Sequence, residues 1–177
     1  MGPTILSYAG KQPEVSQAAY LAPGCCIVGD VKIGRDSSIW FNAVVRGDVH
    51  WVRVGERTNV QDLCMLHVTH DTYPLTIGND VTIGHSVTVH GCTIQDSCLI
   101  GMGAVVLDGA IVETETMIAA GAVVTPGFVV PHHTLVAGVP ARVVRTLTDD
   151  EIRGFAESAA RYVTYAFTMR ESNPANP

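Results

Sequence analysis

Charge is scarce in this sequence. Asp, Glu, Lys and Arg make up 16% of its 177 residues, against about a quarter in an ordinary soluble domain. The balance is acidic, 11 Lys and Arg against 17 Asp and Glu, for a net charge of −6 and a pI near 5.5. A chain of that sign is a poor partner for nucleic acid or an anionic membrane. No apolar run reaches the eighteen or so residues of a spanning helix. The first residues hold neither a basic n-region nor an apolar h-region, and Leu6 stands where a myristoylation signal has Ser or Thr. Neither a secretory signal nor myristoylation is expected. The five cysteines are odd in number and form no CxxC pair, which points to reduced, buried thiols in a cytoplasmic protein. Leucine is sparse beside its β-branched relatives, 9 Leu against 25 Val and 11 Ile, and that mix favours strands. Hydrophobic residues still reach 47%, which excludes a disordered chain and implies much buried or partner-covered surface.

What the sequence has is a period of six. Leu21, Ile27, Ile33, Ile39 and Val45 fall in step, as do Val54, Val60 and Leu66, then Ile77, Ile83 and Val89. The longest run is Ile94, Ile100, Val106, Val112, Ile118, Val124, Val130 and Val136. Six fits neither a helix nor a long plain strand. It fits a short strand and a turn, repeated, with one aliphatic side chain per unit on a shared axis. Three units make a triangular coil, so equivalent positions recur every eighteen residues or so and stack at the ~4.8 Å strand spacing. Glycine often follows the aliphatic residue, as at Gly34, Gly55 and Gly78, and glycine suits turns that need positive φ.

The phase slips three times. Three residues are inserted between Val45 and Val54, five between Leu66 and Ile77 around residues 70–74, and one is missing between Val89 and Ile94. Insertions in a solenoid are expected at corners, as projecting loops. After Pro140 the pattern changes. Thr148-Asp149-Asp150-Glu151 reads as a helix-opening capping box, and Ile152, Phe155, Ala159, Tyr162, Val163 and Ala166 follow at helical spacing. The expectation is a single domain over residues 1–177: a parallel β-helix at about 15–140, a helix at about 149–170 packed along its flank, and a frayed tail over 171–177.

Among seven histidines, three fall at calculable places. His67 follows the inward Leu66 and His90 the inward Val89, so they are equivalent positions one coil apart, with backbones ~4.8 Å from each other. Tetrahedral zinc with Zn–N of ~2.0–2.1 Å needs nitrogens about 3.3 Å apart, which two leaning rings can reach. His85 lies on the preceding face and does not aim at the same point from within one chain. This suggests a site completed by a neighbouring subunit, and a triangular prism packs naturally as a threefold homotrimer with three such sites.

The flanking residues read Arg46-Gly47-Asp48-Val49-His50, then Asn59-Val60-Gln61-Asp62-Leu63-Cys64-Met65-Leu66-His67, then Ile83-Gly84-His85-Ser86-Val87-Thr88-Val89-His90-Gly91-Cys92. Over roughly residues 10–170 the chain resembles the γ-class carbonic anhydrases and their bacterial YrdA-type relatives. The resemblance implies a left-handed parallel β-helix and a zinc ion (Zn2+, sometimes Fe2+ or Co2+) on His67, His85 and His90 at a trimer interface. It implies CO2 hydrated to bicarbonate by hydroxide generated at the metal. Gln61 would orient that hydroxide. Arg46, Asp48 and Asp62 match an interface ion-pair cluster, serving either bicarbonate binding or subunit adhesion. Tyr162 matches a tyrosine that reaches the pocket, although its spacing equally makes it a core contact of the helix. The sequence departs from the family at Val49, where the archetype has an acid, and in the loop 70–76, where a single acid, Asp71, replaces an acidic proton-shuttle loop. His70 could shuttle protons there or be a plain loop residue. Competing readings are an acyl-CoA-dependent hexapeptide acyltransferase, a metal-hydroxide thioesterase, and a trimeric scaffold with a vestigial site.

Overall fold

Each six-residue unit places two side chains inside. The aliphatic residue is one, and Ile27, Ile39, Leu66, Ile83, Ile100 and Val124 are all fully buried. The other stands two residues earlier, on the same face of a short strand. It is often small: Cys25, Cys64 and Cys98 fill it, as do Ala104, Ala110 and Thr116, while Leu75 before Ile77 and Phe128 before Val130 are larger. From Ile94 to Val130 the third residue after each aliphatic has positive φ, at Ser97, Gly103, Gly109, Glu115, Gly121, Gly127 and His133 in strict six-residue step. The glycines that directly follow the aliphatics serve a different purpose from the one their turns suggest. Their φ is ordinary, but a Cβ on Gly55 would lie 2.5 Å from the Gly78 carbonyl oxygen. They permit close backbone approach where coils stack.

The computed structural model describes residues 2–173, and it is a parallel β-solenoid with one C-terminal helix. One face stacks Tyr20–Leu21, Ser38–Ile39, Asn59–Val60, Thr82–Ile83, Leu99–Ile100, Met117–Ile118 and Thr134–Ala137 in parallel, and Arg142–Thr146 closes it antiparallel. The other two faces are joined round a corner by the long strands Cys26–Ile33 and Val44–Val54. The register repeats every coil, Ile100 beside Ile118 and Ile118 beside Val136. Five-residue growth at 70–74 does form a turn outside the coil, closed by a Thr69–Tyr73 bridge.

Two expectations need correction. The three residues inserted after Val45 form no projecting loop. They are absorbed as a bulge within Val44–Val54, where Gly29 pairs with Gly47 but Val31 pairs with Val52. A bulge accommodates extra residues without losing the ladder on either side. Parallel pairing also begins before residue 15, because Thr4–Leu6 lies beside Cys26, Ile27 and Val28.

The helix spans Asp149–Ser172, with the capping box formed by Thr148 and Glu151. Residues 171 and 172, expected to fray, are helical, and 174–177 lie outside the described residues. Phe155, Ala159 and Ala166 are buried against the first face, and Trp40, Tyr20 and Tyr162 form a second apolar cluster there. Arg170 anchors the far end through Nη2 to the Ala19 carbonyl at 2.6 Å. Among the described residues no helix is long and apolar enough to cross a membrane.

Candidate metal centre

His67 ends the strand Met65–His67 and His90 ends Thr88–His90, and the two are paired in register. Leu66 and Val89 point inward, so strand alternation turns both imidazoles outward. Nδ1 of His67 and Nε2 of His90 are 3.1 Å apart. The outer nitrogens are held by carboxylates: His67 Nε2 to Asp48 Oδ1 at 3.0 Å, and His90 Nδ1 to Asp108 Oδ1 at 2.6 Å. A carboxylate accepts from an N–H, which leaves the two inner nitrogens as facing lone pairs. That arrangement calls for a proton or a cation between them. Their separation is close to the roughly 3.3 Å edge of a tetrahedral zinc site. Imidazoles oriented by carboxylates are the donors such an ion takes.

Asp48 reaches His67 because of the bulge. The extra residues of Val44–Val54 carry Asp48 outward, where Arg46 pairs with it and the Val49 N–H donates to it at 3.0 Å. Burial pushes the Asp48 carboxyl up, but hydrogen bonds from His67 and Arg46, with the Arg46 charge, overrule it and hold the group below the usual carboxylate value.

His85 stands at a different corner, just past Thr82–Ile83. Its Nδ1 lies 2.7 Å from Asp62 Oδ2, the same carboxylate-oriented pattern. Among the described residues no three of His, Cys, Asp or Glu converge on one point. Within one chain the expected ligands therefore divide into a pair and a single. The expected ion-pair cluster divides likewise: Arg46 and Asp48 attend His67, while Asp62 attends His85.

Gln61 belongs with the His85 corner. Its backbone N–H bonds the Ile83 carbonyl at 3.0 Å, and its buried side-chain Nε2 donates to Asn59 Oδ1 at 3.1 Å. Asn59 in turn donates to Thr82. Tyr162 packs edge-on against Trp40, with centroids 5.5 Å apart. Burial first, then the charges of Asp62 and Tyr165, push its phenol up. It shares with Trp40, Phe41, Asp62, Tyr165 and Met169 an open groove of about 610 Å3. His70 is on the exposed loop beside Asp71 at 3.3 Å, and no hydrogen bond joins it to the histidine pair.

Sequence reasoning missed Asp108 and Thr69, whose Oγ1 donates to Asp108 Oδ2 at 2.8 Å. The signal was indirect: Val89 pairs with Val106, so a count of one coil from His90 reaches Leu107, and Asp108 is the residue after it. The cysteines take no part. Burial raises Cys64 to about 11 and Cys25 and Cys98 to about 12, and it raises Cys92 further, so all four are neutral corner fillers.

Comparison with known proteins fits this geometry. Residues 91–126 match the family model described as bacterial transferase hexapeptide (six repeats). The chain is 43% identical over 180 residues to gamma carbonic anhydrase 1, mitochondrial, of Arabidopsis thaliana, covering 98% of this chain and 66% of that longer protein. It is 46% identical to Protein YrdA of Escherichia coli, over 93% of both chains. Among solved structures, a Bacillus cereus protein described provisionally as an acetyltransferase superposes with a TM-score of 0.94 at 40% identity, covering 97% of this chain and 99% of that one. The chain belongs to the γ-class carbonic anhydrase-like family of hexapeptide-repeat proteins that includes YrdA.

Proposed function

We propose that this protein is a metal-dependent lyase of the γ-carbonic anhydrase type, hydrating CO2 to bicarbonate in a cytoplasmic homotrimer. His67 and His90 of one copy, with His85 of the partner subunit, hold the metal, zinc foremost and Fe2+ or Co2+ as other ions the same donors accept. The observation that carries the reading is the 3.1 Å approach of two inner nitrogens whose outer nitrogens are both held by carboxylates.

Zinc on three neutral imidazoles keeps its full charge and supplies the Lewis acidity that brings a water's pKa to about 7. The chain's own residues do the rest. Asp48, Asp108 and Asp62 fix the histidine tautomers and aim the rings. Gln61, with its Nε2 donating to Asn59, keeps its Oε1 as the acceptor that would orient the attacking water. With the metal bound, that water would attack the carbon of CO2 and give up one proton, leaving bicarbonate. Arg46 sits beside the site as a charge for the bicarbonate anion. Tyr162, beside Asp62 on the groove, and His70, on the exposed loop, are the groups that would pass the proton on.

Metal content per chain, with stopped-flow CO2 hydration on the same sample, tests this. About one metal per chain with hydration supports it. Metal without hydration retires the anhydrase and leaves the metal-hydroxide thioesterase and the vestigial-site scaffold. A metal-free protein that acetylates an acceptor from acetyl-CoA supports the second reading, which the description of the Bacillus cereus structure favours. A histidine base in such a transferase does not need a second imidazole 3.1 Å away, and for that reason it ranks lower.

A further inference from the structure

We propose that the inserted segment 69–74 is a brace that positions His90, with Thr69 and Asp108 as its positioning residues. The proposal rests on the metal-centre reading above. The segment leaves the solenoid after the buried Val68 and closes on itself where the Thr69 N–H donates to the Tyr73 carbonyl at 3.0 Å. Two contacts then tie it to the next two coils, those of His90 and of Asp108. Thr69 Oγ1 donates to one oxygen of Asp108 at 2.8 Å, and the other oxygen of Asp108 accepts from His90 Nδ1 at 2.6 Å. Tyr73 lies over the backbone on both sides of that carboxylate: a Cβ on Gly91 would be 2.7 Å from Tyr73 Cβ, and one on Gly109 would be 3.0 Å from Tyr73 Cε1.

The consequence is a choice of tautomer. A short carboxylate at a partly exposed corner turns among rotamers unless something holds it. Thr69 occupies one oxygen and leaves the other for His90, so the His90 proton stays on Nδ1 and the Nε2 lone pair faces His67. Free histidine favours the opposite, Nε2–H form, so the brace works against an intrinsic preference. The loop at the place of the family's acidic shuttle thus has a holding role. Its one acid, Asp71, is at the exposed tip with His70, away from these contacts.

The full-length protein, stripped of metal by a chelator, is examined by long-range 15N NMR for the His90 tautomer and by chelator competition for zinc affinity. Asp108→Asn is expected to lower zinc affinity about 10- to 100-fold and to move His90 to the Nε2–H form. Thr69→Ala lowers affinity by about tenfold and gives mixed tautomers. Thr69→Ser restores both to within about twofold of the starting protein. Thr72→Ala, whose hydroxyl reaches only the His70 carbonyl, leaves both unchanged. Wild-type affinity and a pure Nδ1–H form in Thr69→Ala overturn the brace, as does a loss in Thr72→Ala equal to that in Thr69→Ala. Wild-type protein that takes up no zinc overturns the metal-centre reading alone, because the apoprotein tautomers still decide the brace.

Discussion

Gly91 stands where a Cβ would run into Oδ1 of Asp108, the oxygen that accepts from His90. Its φ of +52° also lies where side chains with a Cβ are strained. The corner is one residue short, and glycine lets the backbone pass beneath the carboxylate. Gly91→Ala is expected to destabilise the fold by about 1–2 kcal/mol and to weaken zinc binding about tenfold or more by displacing Asp108. Urea unfolding and chelator competition read the two effects separately. Unchanged affinity would show that Asp108 does not need this corner.

The division of the proposed ligands between two corners makes a complementation experiment decisive. His67→Ala and His85→Ala are each expected to abolish metal binding while leaving the aliphatic core folded. Unfolded and refolded together in equal amounts, they should regain about a quarter of the sites, the share in which an intact pair meets an intact His85 in a threefold ring. Metal analysis and hydration rate on the mixture check this. No recovery would place all three ligands in one chain, against the split seen here.

The core should be costly to hollow. Ile100 is fully buried in mid-stack between Ile83 and Ile118. Ile100→Ala is expected to lose about 2–5 kcal/mol in urea unfolding. Val139→Ala, at an exposed position, should fall within about 0.5 kcal/mol of the parent.

The buried thiols set an alkaline limit. Cys64 rises to about 11, and Cys25 and Cys98 to about 12, through desolvation. Above the ordinary thiol value near 9, the unfolded chain gives up these protons while the folded chain keeps them. The unfolded state then binds fewer protons, so stability falls as pH rises from about 9. Urea midpoints at pH 8 and pH 10.5 should show that decline, and Cys→Ala variants at these positions should flatten it. At pH 8 a thiol reagent should reach only the half-buried Cys26 in the native protein and all five cysteines after unfolding. Rapid native labelling of several thiols would contradict corner burial.

The solenoid was legible in the sequence because a six-residue period has one economical solution, and each buried position follows from counting. The same count paired His67 with His90, since residues in register one coil apart must be neighbours. Carried one coil further it reaches Leu107, the residue before Asp108. The capping box was legible because its two hydrogen bonds lie within four residues. What depended on tertiary structure was everything that crosses coils at the insertions. Three extra residues could leave as a loop or stay as a bulge, and ladder hydrogen bonds on both sides chose the bulge that delivers Asp48 to His67. The five-residue insertion could not be read as a brace, because Thr69 and Asp108 are 39 residues apart and share no repeat position. The tautomers of the two histidines followed only from which carboxylates arrived. Local periodicity fixes where a side chain points. Its chemistry depends on neighbours brought from distant coils.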